Sequence, residues 1–188
     1  MDKRYPIEII ATDGTHFLIR PVKEEDRIGI QTFFSALSDT EKWFSRINTA
    51  CPETLQQWFD DVDEGSCTSL VAVDIKENAI AAYALLERHN SSCLAHVAHV
   101  RIMVAQTYRA KGLGSRLIME LSDLAACMGV EKVVAEFVGD MEGVAVKAAE
   151  SLNFVKQACL KDYVKDQDGG FHDLVIMVKN IGPCLGDF

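Results

Sequence analysis

The chain lacks any apolar run that approaches the roughly 20 residues needed to span a bilayer. Its opening, Met1-Asp2-Lys3-Arg4-Tyr5-Pro6, also lacks the apolar core of a signal peptide. With 48% hydrophobic and 25% charged residues and four prolines among 188, the composition is typical of a soluble globular protein. These features predict one cytoplasmic domain over residues 1–188, with an irregular tail from about residue 181 and no membrane partner.

Positive charge is scarce as well. Lys and Arg number 19 against 28 Asp and Glu, which leaves a net charge of −9. Because binding to a phosphate backbone needs a basic surface, this charge argues against nucleic acid as the main partner. Acidic clusters at residues 24–26 and 60–64 are interpreted first as solvated surface and second as a sign of a cationic substrate.

Paired cysteines are also missing. The six cysteines are scattered and include no Cys-x-x-Cys pair. Such spacing predicts reduced thiols that mostly fill the interior, and neither a zinc site nor a disulfide framework. We therefore expect no bound metal. The residues are Cys51, Cys67, Cys93, Cys127, Cys159 and Cys184.

Turn signals and short apolar runs predict a sheet of about seven strands, with the opening hairpin counted once. That hairpin turns at Asp13-Gly14. The next three strands are expected to form an antiparallel meander, and the last two to flank a hairpin turn at 166–170. The predicted strands are 7–10, 15–20, 69–73, 79–86, 94–104, 130–137, 154–161 and 171–179.

Helical periodicity predicts about four helices. The first follows an acidic turn at 23–26, and the second starts at Pro52. The third has the clearest stripe and ends at Gly129, which suits a left-handed C-cap. The fourth covers 141–152, capped by Asp140, with Val144, Ala148 and Leu152 facing inward. The stripe of the third helix is Leu113, Leu117, Leu121, Leu124 and Met128.

The most informative segment joins the strand at 94–104 to the third helix. Its core is Arg-x-x-Gly-x-Gly, formed by Arg109, Gly112 and Gly114. Two glycines let backbone N–H groups converge, and the helix N-terminus behind them adds partial positive charge, so the loop can bind a pyrophosphate. It is neither a Walker P-loop nor a dinucleotide fingerprint. The alternative is an ordinary strand-to-helix turn with two permissive glycines.

With this element order, the chain resembles the GNAT superfamily of N-acetyltransferases along nearly its whole length. Residues 102–115 match the acetyl-CoA motif Gln/Arg-x-x-Gly-x-Gly/Ala, and residues 18–26 match the family's opening around Arg20-Pro21. Residues 149–154 partly match its Tyr-x-x-x-Gly-Phe segment. The resemblance implies an α/β (α+β) GNAT fold, in which a mixed sheet is flanked by helices.

The resemblance also implies which residues bind acetyl-CoA, the co-substrate. The backbone of Ile102, Met103 and Val104 would hydrogen-bond the pantetheine arm. The diphosphate would be bound by the loop of Arg109, Ala110, Lys111, Gly112, Leu113, Gly114 and Ser115.

Catalysis needs a base, because an acceptor amine with a pKa near ~10 is protonated at neutral pH. Relatives with this opening carry a glutamate where His99 stands, and imidazole, with an unperturbed pKa of ~6.5, can serve as a base. The alternative is a structural histidine, and His96 is a competing candidate. The family's tyrosine acid is replaced by Ala149, so no acid carries over. Tyr108 and Tyr163 are the candidate substitutes for that acid.

We therefore expect transfer of an acetyl group from acetyl-CoA to a primary amine of a small molecule or a protein lysine. The alternative is a non-catalytic acyl-CoA-binding module with a degenerate active site. The sequence does not identify the amine or the acyl chain length. It leaves the oligomeric state open, although dimers are common in the family. By resemblance, the acceptor pocket forms from the first two helices and the C-terminal hairpin.

Overall fold

The computed structural model describes residues 4–45, 67–88 and 92–182. Its strands are β1 (Ile7–Ile10), β2 (His16–Pro21), β3 (Cys67–Asp74), β4 (Ala79–Arg88), β5 (Val97–Val104), β6 (Lys132–Val138), β7 (Val155–Lys165) and β8 (Phe171–Asn180). Four α-helices lie in these residues: α1 (Arg27–Ser35), α2 (Asp39–Phe44), α3 (Leu113–Cys127) and α4 (Gly143–Ser151).

The eight strands form one mixed sheet in the order β1-β2-β3-β4-β5-β6-β8-β7. The predicted class is confirmed, and the strand number exceeds the expected seven because both strands of the opening hairpin join the sheet. The chain divides into two compact units, one of Met1–Leu85 with Ile102–Leu117, the other of Leu86–Arg101 with Ile118–Phe188. A single domain stays a prediction.

In the first unit, the opening hairpin forms as predicted. The β1 and β2 strands are antiparallel, with Ile7 opposite Ile19. The turn between them is fixed by Asp13, whose Oδ1 accepts the Thr15 N–H at 3.1 Å. The β2 strand then pairs antiparallel with β3. This arrangement brings the Asp13 turn to one end of the sheet edge.

The core of the first unit lies under α1. Its buried members are Ile30, Phe33, Phe34, Leu37, Val71, Tyr83 and Leu85. Met103 and Ala105, at the end of β5, pack against this cluster. The Ala105 N–H also donates to Ala81 O at 2.9 Å. Apolar packing and this hydrogen bond therefore fix the point where the motif loop leaves the sheet.

An ion pair buried beside α1 explains the matched opening at residues 18–26. The two Nη atoms of Arg20 donate to the two carboxylate oxygens of Asp26 at 2.6 and 2.7 Å. The Lys23 N–H also donates to Asp26, at 2.8 Å. Burial alone would raise the pKa of Asp26, but these donors hold that pKa below its usual value.

In the second unit, β5 and β6 are parallel, as predicted, with Val97 opposite Lys132 and Val100 opposite Ala135. The β6 strand pairs antiparallel with β8, and β8 pairs antiparallel with β7. The α3 helix contributes residues to both units. Four residues of its predicted stripe, the leucines, are buried, whereas Met128 follows the helix and is exposed; Gly129 takes the left-handed conformation at φ 76°.

Two sequence expectations about helices need correction, and a third is not tested. The α2 helix was missed, although Ser38-x-x-Glu41 is a capping-box signal and the structure forms that box. The helix expected from Pro52 lies outside the described residues. In α4, Val144 is 86% exposed and Ala149 is the fully buried residue. Small apolar residues occur all around α4, so its inward face could not be identified from periodicity alone.

The cysteine prediction holds in part. Cys67, Cys93 and Cys159 are free thiols, as predicted, but none of the three fills the interior, because Cys67 and Cys159 are half-buried and Cys93 is exposed. Cys127, however, is disulfide-bonded, so the expectation of six reduced thiols is wrong there. A disulfide requires two Cα atoms within about 7 Å, and sequence spacing does not determine this distance.

Candidate functional site

The motif loop has an unusual backbone between β5 and α3. A 3₁₀ turn at Gln106–Tyr108 leads to Arg109, which is extended at φ −72° and ψ 164°. Ala110 and Gly112 then take positive φ values of 58° and 82°. Ala110 carries a Cβ, so its left-handed conformation is one that few residues of this type adopt. Such backbone conformations concentrate at ligand-binding sites.

The loop presents backbone donors at the start of α3. The Arg116 N–H donates to Gly112 O at 3.1 Å, which is the first hydrogen bond of the helix. The N–H groups of Leu113, Gly114 and Ser115 therefore precede any acceptor within the helix. Together with the helix dipole, these groups can bind an anion.

The two motif glycines differ in whether the backbone conformation requires glycine. Gly112 must be glycine for conformational reasons, because its φ of 82° is one that residues with a Cβ rarely adopt. Gly114 is helical, and a Cβ there would touch only Val104 Cγ2, at an ordinary 3.7 Å. Neither its φ nor its packing requires glycine, which weakens a helix relative to alanine. Close approach of a ligand to the first turn of α3 would explain the missing side chain.

Both cations of the loop contact carboxylates. The Arg109 guanidinium pairs with Glu41 of α2, and its Nε donates to Val104 O at 3.1 Å. The Lys111 ammonium lies 2.7 Å from Asp13 Oδ2. The Lys111 hydrogen bond, the strongest influence on Asp13, lowers its pKa to about 2. Sequence reasoning missed both carboxylates, because Glu41 and Asp13 are far from the loop along the chain.

Tyr108 supports the loop from the sheet side. Its ring meets Phe17 edge-on at 5.6 Å, and the Lys111 ammonium lies 5.2 Å from its centroid. Burial, followed by the charge of Asp74, raises the pKa of Tyr108. A phenol in these surroundings holds its proton firmly, so packing is the role that the contacts support. Tyr163, the other predicted substitute acid, is exposed on β7.

His99 lies on β5 in the second unit, opposite Val134 of β6. Its neighbours Ala98 and Val100 are buried and His99 is half-buried, so its side chain occupies the more open face of the strand. His96 precedes the strand, and its carbonyl accepts the Glu131 and Lys132 N–H groups at 2.8 and 3.0 Å. That contact gives His96 a structural role in joining β5 to β6.

The segment matching Tyr-x-x-x-Gly-Phe keeps its backbone shape and loses its hydroxyl. Ala149 is fully buried in α4, and its carbonyl accepts the Phe154 N–H at 3.0 Å. Asn153 takes the family's glycine position at φ 65°, a conformation that asparagine tolerates. The segment thus ends α4 as glycine would, without a proton donor at residue 149.

A groove of about 440 Å³ opens on the C-terminal hairpin of the second unit. Lys161, Phe171, His172 and Asp173 are among its lining residues. Lys161 Nζ lies 2.5 Å from Asp173 Oδ2. This groove was not predicted from the sequence, because its charged residues are brought together by the pairing of β7 with β8.

His172 is clamped between two carboxylates at this groove. Its Nε2 lies 3.0 Å from Asp166 Oδ2, and its Nδ1 lies 2.7 Å from Asp140 Oδ2. The hydrogen bond to Asp166 and then that to Asp140 raise the pKa of His172, because only the protonated ring donates from both nitrogens. The prediction that Asp140 caps α4 is therefore wrong. Asp140 holds His172, and the N-cap residue of α4 is Glu142.

Across the described ranges 4–45, 67–88 and 92–182, no group of three or more His, Cys, Asp or Glu side chains is arranged to hold a metal ion. In the same part of the chain, no helix has the length and apolarity needed to cross a membrane.

The mixed eight-stranded sheet, its flanking helices and the motif loop after β5 define a fold of the mixed α/β class. The chain belongs to the acetyltransferase (GNAT) family, whose model matches residues 34–154. Members of this family use acetyl-CoA. The resemblance seen in the sequence is thereby confirmed.

Individual relatives agree with this assignment. Acetyltransferase PA5475 of Pseudomonas aeruginosa is 29% identical over 124 residues, which cover 64% of this chain. The chain spans 66% of the length of that curated relative.

Solved structures match the fold. The GNAT domain of S. lividans PAT has a TM-score of 0.78 at 16% identity, covering 96% of this chain and 99% of that one. The yncA protein of Salmonella typhimurium, solved with its cofactor acetyl-CoA, has a TM-score of 0.71 at 20% identity, with coverages of 87% and 93%. At these identities the likeness establishes the fold alone.

Proposed function

We propose that this chain binds acetyl-CoA at the loop of residues 109–115 and transfers the acetyl group to a primary amine. The observation that carries the proposal is the start of α3, where three backbone N–H groups precede the helix hydrogen bonds beside a glycine that the fold does not require. A diphosphate has the charge and size to accept from such groups.

The residues present fit the cofactor. Gly114 leaves the first turn of α3 without a side chain, and Arg109 and Lys111 bring two positive charges to the same loop. The backbone of Ile102, Met103 and Val104 is the proposed partner of the pantetheine arm. The Val104 carbonyl also accepts from Arg109 Nε, so the loop cation is tied to the end of the same strand.

Acetyl-CoA, when bound, supplies a thioester whose carbonyl carbon an unprotonated amine attacks. We propose that His99 takes the proton from the acceptor ammonium, directly or through a water molecule. Its place on the more open face of β5 supports this role. His96, the competing candidate, precedes β5 and does not lie on the open face of that strand.

The acceptor is proposed to be a cationic primary amine of a small molecule or a protein lysine. The support for this class is the family resemblance, because the carboxylates of the groove on the C-terminal hairpin, Asp140 and Asp173, are already paired with His172 and Lys161. The rival is a non-catalytic acyl-CoA-binding module, and the buried Ala149 favours it because no hydroxyl is present there. A thiol-release assay with polyamines, amino acids, aminoglycosides and lysine peptides separates them, since only the enzyme releases free CoA.

The cofactor assignment predicts opposite effects of Gly114→Ala on stability and on binding. Replacing a helical glycine by alanine should raise the free energy of unfolding by roughly 0.5–1 kcal/mol. The new methyl group should at the same time weaken acetyl-CoA binding, roughly tenfold or more, by blocking the approach of the diphosphate. Urea denaturation and isothermal calorimetry measure the two quantities.

Gly143→Ala is the matched control. Gly143 begins α4, and a Cβ there would meet no atom within 4 Å. This variant should gain similar stability with acetyl-CoA affinity unchanged. If the Gly114 and Gly143 variants bind acetyl-CoA equally well, the diphosphate does not lie at the start of α3. If the wild type shows no saturable acetyl-CoA binding, the whole proposal is wrong.

A further inference from the structure

Helix α2 contacts the motif loop through the carboxylate of Glu41. Oε1 of Glu41 pairs with the Arg109 guanidinium. Its Oε2 accepts the N–H and the hydroxyl of Ser38, each at 2.7 Å, and so caps the first turn of α2. The same side chain therefore fixes the start of α2 and holds the charged group nearest the beginning of the loop.

The ion pair between Glu41 and Arg109 is exposed enough for Arg109 to exchange Glu41 for another anion. The two side chains are 26% and 50% exposed, respectively, and ion pairs of that exposure are weak. A phosphate oxygen is an equally good partner for a guanidinium and brings more negative charge than a carboxylate. A diphosphate at the start of α3 would therefore compete with Glu41 for Arg109.

We propose that Glu41 is a positioning residue that gives up Arg109 to the diphosphate, so that cofactor binding releases α2 from the motif loop. The inference rests on the proposed function, because it takes the diphosphate to bind at residues 109–115. Glu41 would then set the affinity for the cofactor by competing for Arg109. Filling of the cofactor site would in turn change the contacts of α2.

The Lys111–Asp13 pair provides an internal comparison. Asp13 also holds a loop cation, at 2.7 Å, but it belongs to the β1–β2 turn and forms no hydrogen bond or ion pair with α2 within the described residues. Removing either carboxylate should favour an incoming anion. Only removal of Glu41 should change α2.

Trp43 makes the movement of α2 measurable. It is one of two tryptophans in the chain, lies two residues after Glu41 and is 49% exposed. In a Trp58→Phe background it is the only tryptophan, so its emission reports on α2. The titrants are CoA and pantetheine, which lacks every phosphate group.

In that background, CoA should shift Trp43 emission and pantetheine should not. Glu41→Gln should bind CoA about 2- to 5-fold more tightly, the range expected for removal of a weak competing ion pair. Its emission without ligand should already differ from that of the parent, and CoA should add little further shift. Asp13→Asn should also tighten CoA binding while the emission shift stays intact.

Ser38→Ala separates the exchange from a merely structural effect of α2. This variant loses the cap and some stability but keeps the Glu41–Arg109 pair, so its CoA affinity should match that of the parent. The proposal would be overturned if Glu41→Gln bound CoA no more tightly than the parent. It would also be overturned if CoA shifted the emission of Glu41→Gln as much as that of the parent. Absence of CoA binding in the parent would instead overturn the proposed function itself.

Discussion

At the scale of single residues, His99 carries the proposed proton transfer. His99→Ala should lower turnover by ~10²–10⁴, the usual contribution of a general base. Affinity for acetyl-CoA should stay unchanged, because the proposed cofactor contacts do not include His99. Thiol release and calorimetry measure the two effects on the same protein sample.

His96→Ala is the matched control for this prediction. The contacts of His96 with β6 use its backbone carbonyl, so loss of its ring should leave turnover within about threefold of wild type. A His99 variant that turns over at the wild-type rate would remove this residue from the mechanism. A tenfold or larger loss in the His96 variant would assign the base to His96.

The residues of the motif loop show how far sequence reasoning reached at this scale. The positions of Gly112 and Gly114 and the start of α3 followed from the pattern, because left-handed turns and helix starts depend on local chemistry. The partners of Arg109 and Lys111 did not follow. Glu41 and Asp13 meet them only through packing of α2 and of the β1–β2 turn.

At the scale of elements, the Arg20–Asp26 pair joins the end of β2 to the start of α1. Asp26→Asn should lower the free energy of unfolding by about 3 kcal/mol, because Arg20 would be left largely buried without its counter-charge. Urea denaturation at neutral pH tests this. The double variant Arg20→Met, Asp26→Asn should recover part of the loss, since no uncompensated charge remains.

The same pair predicts a pH dependence. The pKa of Asp26 is lower in the folded protein than its usual 3.8, so its stabilising contribution is complete above that value. The contribution should fall as the pH drops through the lowered pKa. The stability difference between wild type and Asp26→Asn should therefore shrink below about pH 4. A difference that stays constant down to pH 2 would contradict an ionised Asp26 as its source.

Elements with a strong local pattern were predicted well, and elements defined by their neighbours were not. The leucine stripe of α3 and the turn at Asp166–Gly170 followed from periodicity and turn chemistry. For α4, the predicted inward residue Val144 is exposed, because the helix offers apolar residues on every side and the sheet selects one. The α2 helix is short and was missed despite its capping box.

At the scale of the whole molecule, the net charge of −9 opposes binding of a polyanionic cofactor. Distant charges are screened over about 8 Å at physiological salt, so the local donors of the motif loop must supply the affinity. CoA at 100 times its dissociation constant should then raise the free energy of unfolding by about 2.7 kcal/mol. For a chain of this length, that corresponds to a rise in Tm of roughly 5–10 °C.

Thermal unfolding followed by circular dichroism measures this rise. Pantetheine at the same concentration should give a much smaller shift, because it lacks the diphosphate. The Gly114→Ala variant, at the same CoA concentration, should also gain less than the wild type. An equal rise with CoA and with pantetheine would mean that the phosphates contribute nothing to binding.

The sequence by itself determined the order of the strands, the motif loop and the family, because each depends on residues that are close along the chain. Only the tertiary structure decided which carboxylates pair with Arg109 and Lys111, which residue of α4 is buried, and how His172 meets Asp140 and Asp166. These outcomes depend on distances between residues far apart in sequence. Such distances are set by the pairing of strands and the packing of helices, and periodicity and spacing carry no measure of them.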